Sequence, residues 1–270
     1  MSKVRWIVFI SALLTVCVSV GYIVFYLTEK NDRGKIYEEL KETAILSTTH
    51  SYEEKMRERI REFRKTDDDL RAESEPYSSP VDFEALWKVN PDIYAWIDIP
   101  NTDVSYPIVC SSKGDEYYLN RTVEGRSGYP GSIFTYNVNA KDFTDFNTVI
   151  YGHNMKDASM FGSLYKYRNE VFFNEHRTIW IFTPDSMLVY RVFAAVIHND
   201  KLITEAYNNN DSGDCRRFLD SIFRNRKLGS IIMNDVDVTP DDKIITLSTC
   251  IRGMYGNRYL VVAVKTNEYS

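Results

Sequence analysis

"IITLSTCIRGMYGNRYLVVAV", Ile244 to Val264, consists of two apolar, β-branched runs joined by a short turn that carries Gly253 and Gly256. Runs of this kind on either side of a glycine-bearing turn read as neighbouring strands. Cys250 closes the first run and Arg258 opens the second, so a thiol and a guanidinium are expected at the same end of a strand pair.

Upstream, the same pattern recurs. "YAWIDIP" (94–100), "DVSYPIVC" (103–110), "GSIFTY" (131–136), "NTVIYG" (147–152), "TIWIFT" (178–183) and "MLVYRVFAAVIH" (187–198) are short runs rich in Val, Ile, Tyr and Phe, bounded by turn residues. With "KIITLSTC" (243–250) and "RYLVVAVKT" (258–266) they make eight strands in one domain, 81–270, and predict a mainly β fold closed into an eight-stranded barrel. The 19 Tyr and 14 Phe suit such a fold. One segment departs from it. In "DSGDCRRFLDSIFRNRKLGS" (211–230), Cys215, Phe218, Leu219, Ile222 and Phe223 recur at helical spacing. They predict one amphipathic helix inserted before the last strands, starting near Asp211 or Ser212 and stopping near Gly229.

The N-terminal part reads differently. Trp6 to Leu27 is 22 residues without a charge. At about 1.5 Å per residue a helix of that length spans roughly 33 Å, enough for a bilayer core. Residues 1–5 then form a cytoplasmic N-terminus and 6–27 a transmembrane anchor. Lys3 and Arg5 before the span favour a cytoplasmic start, with the body of the chain extracellular. Residues 28–80 read as a helical stalk and linker. "YEEKMRERIREFRK" (52–65) carries the pairs Glu53–Arg57 and Glu58–Arg61. A short helix is expected over Asp82 to Val89, capped by Ser79 and ended by Asn90–Pro91. The net charge of −5 argues against a nucleic-acid partner.

Chemistry-bearing residues are few. No Cys or His spacing suits a metal, and no cofactor motif is present. Cys17 lies in the apolar span, while Cys110 and Cys215 read as buried structural thiols. His50 and His176 fall in polar surroundings, and His198, beside Asn199 and Asp200, reads as a surface residue. His153 differs: in "NTVIYGHNMKDASMFGSL" (147–164) it leaves a strand abruptly and could present an imidazole at a barrel rim.

"TLSTC" at Thr246–Cys250, Arg258 on the next strand and "YGHNM" at Tyr151–Met155 together resemble the signature of the sortases. The spacing in "AWIDIPNTDVSYPIV" (95–109), the run 147–164 and the inserted helix are most similar to class B members. Tyr136, near where many class B members carry an acid, and Ile251 and Arg252 after the cysteine depart from that pattern. The resemblance implies a sortase-type barrel and a cysteine transpeptidase with Cys250 as nucleophile, His153 as acid and base, and Arg258 at the oxyanion. Ser248, Val104 and Thr204 match positions that contact the peptide. Implied partners are surface proteins bearing an NPxT- or LPxTG-like sorting signal, an amine of a peptidoglycan precursor (lipid II), cross-bridge or pilin, and the cytoplasmic membrane. Two other readings of the same residues are a cysteine endopeptidase that mainly hydrolyses and a non-catalytic surface-binding module.

Overall fold

The structure is a computed structural model that describes residues 3–44, 77–233 and 235–270. It divides into two units, one ending at Glu39 and one from Leu40 to Ser270. The first unit is the greater part of helix α1 (Lys3–Ala44). Its apolar residues, Trp6 to Leu27, are exposed. By length and composition it is a candidate membrane span, with a mean hydropathy of 2.5 over its best window. Residues 45–76 of the expected stalk and linker lie outside the described residues, and His50 with them.

In the second unit, helix α2 (Phe83–Val89) starts at Asp82. The Asp82 carboxylate accepts from the Ala85 amide at 2.9 Å, so Asp82 is the cap that was expected at Ser79. Ser79 instead folds back on the Val81 amide. Strands β1 (Ile93–Asp98), β2 (Ser105–Val109), β3 (Ile133–Thr135), β4 (Asn147–Tyr151), β5 (Thr178–Phe182), β6 (Met187–Asn199), β8 (Ile244–Cys250) and β9 (Asn257–Tyr269) correspond to the eight expected runs. They pair in the order β5-β1-β2-β3-β4-β8-β9-β6, and β6 returns to β5, which closes the barrel. Closure removes the free edges of the sheet. The two-residue β7 (Ile231–Ile232) pairs outside the ring on β6 and was not legible in the sequence.

Between β4 and β6 the sequence signalled only strands, yet a 3₁₀ helix (Gly162–Arg168) and α3 (Glu170–Glu175) precede β5. A short α4 (Ile203–Ala206) follows β6. Helix α5 (Ser212–Phe223) is the inserted amphipathic helix. Asp211 caps it through the Asp214 amide. It buries Cys215, Phe218, Leu219 and Ile222 against Val149, Phe193, Val196, Ile244, Leu260 and Val262. The helix ends at Phe223, short of Gly229, because Arg224 to Lys227 supply no apolar face, and Asn225 turns to bond the Ile197 carbonyl at 2.8 Å. The cover it provides also corrects the reading of His198. That residue is buried, with Nε2 3.3 Å from the Ser221 hydroxyl of α5.

Candidate active site

The barrel has an outer face toward α5 and an inner face. On β8, residues Ile244, Thr246, Ser248 and Cys250 fall on the α5 side by alternation with Ile245, Leu247 and Thr249. Their partners across β9 are Val264, Val262, Leu260 and Arg258. Directly opposed residues in an antiparallel pair share a face, so Cys250 and Arg258 stand side by side on the outer face, at the last rung of the ladder. Cys250 is exposed and Arg258 half-buried. The guanidinium contacts the Asn257 carbonyl at 3.5 Å and forms no salt bridge among the described residues, leaving donors for a ligand.

On the other side of β8 lies β4, in a parallel pair that sets Tyr151 against Ser248. The Gly152 amide continues the ladder to the Ser248 carbonyl at 3.2 Å. The same register extended by two residues sets His153 level with Cys250. Asn154 ties the loop down by donating its side-chain amide to the Cys250 carbonyl at 2.9 Å. Three neighbouring strand ends thus carry His153, Cys250 and Arg258 in a row.

The imidazole of His153 is held from behind. Its Nε2 lies 2.6 Å from the Leu119 carbonyl oxygen, and its ring lies 5.0 Å from that of Tyr129. A carbonyl only accepts, so Nε2 carries the hydrogen and Nδ1 is the free basic nitrogen of the neutral ring. Gly131 makes this approach possible. A Cβ there would meet the Leu119 carbonyl oxygen at 2.4 Å and the His153 ring at 3.0 Å, and its φ of +72° suits glycine. Leu119, Tyr129 and Gly131 were not singled out in the sequence, and Asn154 appeared there only as part of the "YGHNM" run. A backbone carbonyl leaves no residue-type signal.

The floor beside the cysteine is aromatic. Tyr136 and Tyr151 stack at 4.7 Å, with Phe134 5.5 Å from Tyr151. Tyr136 lies near the position where an acid was expected from many class B members. Burial pushes the Tyr136 phenol above its ordinary pKa, and nearby Glu116, Asp115 and Glu205 add to this while Arg258 opposes it. Burial likewise raises Tyr151, against Thr204 and Arg258. The Tyr151 hydroxyl is buried and faces Thr204 without a well-formed hydrogen bond. Thr204 lines a cavity of about 300 Å³ with Asn147, Val149 and Phe218, between β4 and the helices α4 and α5.

The sequence-derived site residues therefore separate. Cys250, His153 and Arg258 come together, Ser248 is buried two residues back on the same face, and Thr204 stands over Tyr151. Val104 does not join them. It is 1% exposed at the turn between β1 and β2, where its carbonyl accepts from the Ile99 amide, and it offers a peptide no surface. The other thiols of this unit are sequestered: Cys110 lies 3.4 Å from Asn137 Oδ1 and Cys215 3.4 Å from the Asn209 carbonyl oxygen. Burial raises the pKa of both. Among the described residues all four cysteines are free, and no cluster of His, Cys, Asp or Glu could hold a metal ion.

A family model for the sortase domain matches residues 97–266. The chain belongs to the sortase family. This sortase is 36% identical over 171 residues to Sortase B of Listeria monocytogenes, a match covering 61% of this chain and 65% of that protein. The chain thus spans a little under two thirds of that relative's length. The structure of the Staphylococcus aureus sortase B–substrate complex superposes with a TM-score of 0.62 at 30% identity, over 79% of this sortase and 94% of that chain. A Streptococcus pyogenes class B sortase involved in pilus biogenesis superposes at 0.58 with 28% identity, over 68% and 97% of the two chains.

Proposed function

We propose that this sortase is a membrane-anchored cysteine transpeptidase that cuts a C-terminal sorting signal after threonine and transfers the new acyl end to an amine. The observation that carries this is the row His153–Cys250–Arg258 on three adjacent strand ends, with Cys250 exposed and the thiols Cys110 and Cys215 buried.

In this reading the peptide lies on the face that holds Ser248 and Tyr151, below Thr204. The Cys250 thiolate attacks the threonine carbonyl carbon, and the electron pair moves onto the carbonyl oxygen. Arg258 donates to that oxygen through a planar, permanently charged fork. Protonated His153 gives its Nδ1 hydrogen to the departing amine as the C–N bond breaks, leaving a thioester on Cys250. Neutral His153 then takes a proton from the incoming amine, whose nitrogen attacks the thioester carbonyl. The C–S bond breaks and the thiolate returns. Leu119 keeps the imidazole in the tautomer that both proton transfers require. Surface proteins with NPxT- or LPxTG-like signals are the donors, and an amine on a peptidoglycan precursor, cross-bridge or pilin is the acceptor. Helix α1 is the membrane anchor, with the catalytic unit outside the cell.

The test uses the full chain in detergent micelles with peptides of the NPxT and LPxTG types, with and without an added amine. Intact mass should reveal a thioester on Cys250 and an amide product that replaces the hydrolysis product when amine is present. Hydrolysis unaffected by any amine would make this an endopeptidase. No adduct with any peptide would leave only a binding surface.

A further inference from the structure

The barrel unit holds a second concavity besides the one that Thr204 lines. The groove under α4 and α5 takes the sorting signal in the proposed reading. The second lies beyond the strand ends and has a volume of about 360 Å³. It is lined by Asn154, Lys156, Tyr165, Arg168, Arg252 and Met254, among others, and no carboxylate lines it. Its lining includes Ile251, the residue that follows Cys250. Arg252 is two residues beyond Cys250, and Asn154 holds the Cys250 carbonyl.

Its charge is opposite to that of the chain as a whole, which carries −5. Lys156, Arg168 and Arg252 are exposed at its wall and form no salt bridge among the described residues. Arg252 is oriented by Asn154 Oδ1 and the Met155 carbonyl, which it contacts through one terminal nitrogen. Arg168 is braced with its guanidinium carbon 5.5 Å from the centre of the Tyr165 ring. Two oriented guanidinium groups and an ammonium around one small cavity form a receptor for a compact anion.

We infer that this pocket binds an anionic group, a carboxylate or a phosphate, carried by the amine acceptor, and so selects acceptors in which the attacking amine lies a few bonds from a negative charge. The inference rests on the transpeptidase reading and assigns its second substrate. The balance of the step is unchanged: the acceptor nitrogen bonds to the acyl carbon, the C–S bond breaks, and His153 takes the amine proton. The pocket's cations hold the acceptor's anion while this happens, which raises the effective concentration of the amine at the thioester.

The test is partition of the Cys250 thioester in the full chain among short ω-amino carboxylic acids, their primary amides, and aminoalkyl phosphates of matching length. Thioester formation is followed separately by intact mass. The expected result is transfer to at least one anionic series about tenfold or more better in kcat/KM than to the amides. The better of the carboxylate and phosphate series identifies the group. Arg168→Gln should shrink that preference several-fold, and so should Lys156→Gln, which changes an exposed loop residue and leaves the Arg168–Tyr165 contact alone. If the thioester forms but acids, phosphates and amides react alike, or if the preference survives in both variants, this inference is overturned while the transpeptidase reading stands. If no thioester forms, both fall together.

Discussion

The carbonyl oxygen of Leu119 and Nε2 of His153 are 2.6 Å apart, in a contact that only a glycine at 131 permits. In the proposed mechanism this contact sets which nitrogen of the imidazole exchanges protons, so that Leu119 and Gly131 act as positioning residues.

Gly131→Ala should therefore slow turnover without touching substrate. The added Cβ forces Leu119 or His153 to move, and backbone strain at positive φ costs on the order of 1–3 kcal/mol. We expect a fall in kcat of about tenfold or more with KM changed less, and a displaced limb in the pH–rate profile. An unchanged profile with only a lower Tm would mark the glycine as purely structural.

Thiol accessibility separates the cysteines of the barrel unit. A small alkylating reagent should modify Cys250 at least about 100-fold faster than Cys110 or Cys215, since reaction at a buried thiol waits on local opening. Cys250→Ala should lose both cleavage and transfer and remain folded, because the side chain at this strand end is exposed. Peptide mapping of the alkylated protein reads the rates, and comparable labelling at Cys110 would contradict the assignment.

At Arg258, geometry should count as well as charge. Arg258→Lys keeps the charge and loses the planar fork. Removing one oxyanion donor typically costs about 10²–10³ in rate. Single-turnover acylation of Cys250 should fall by at least about tenfold in Arg258→Lys and further in Arg258→Ala, with circular dichroism unchanged. Near-normal acylation by folded Arg258→Ala would remove the residue from the mechanism.

His198 gives the barrel an acid-sensitive point. Burial lowers its pKa from the ordinary 6.5, with Lys227 acting in the same direction and the Asn199 carbonyl opposing. The unfolded chain then binds a proton that the folded one resists. Stability should be undiminished by this group above about pH 6.5 and decline as the pH falls from there toward the folded-state pKa. His198→Gln should flatten that decline between about pH 6.5 and 5 in denaturant melts. Identical pH dependence in the two proteins would assign the effect elsewhere.

The strands were legible because each is a β-branched or aromatic run between turn residues, and α5 because its apolar residues repeat at helical spacing. What the sequence concealed was cover and contact. His198 read as a surface residue because its neighbours in the chain are polar, while the helix that buries it comes later. The 3₁₀ helix at Gly162–Arg168 and the two-residue β7 are too short for a periodic signal. At the site, Cys250, His153 and Arg258 were visible as residue types at strand ends. The Leu119 carbonyl was not, since any residue there would supply one. Val104 matched by position in a motif, and only its burial removes it from the peptide surface.

The parallel β4–β8 pair has a consequence for how the domain comes into being. Asn154 and the Cys250 carbonyl that it holds are 96 residues apart, and most of the second half of the barrel lies between them. Contacts of such long sequence separation form slowly. In a chain synthesised from its N-terminus, β4 emerges long before β8 and β9. The thiol therefore acquires its histidine and arginine neighbours only when nearly the whole domain has been made, so under the proposed mechanism an incomplete chain presents an ordinary cysteine and no nucleophile. Competence for chemistry is tied to completion of the polypeptide.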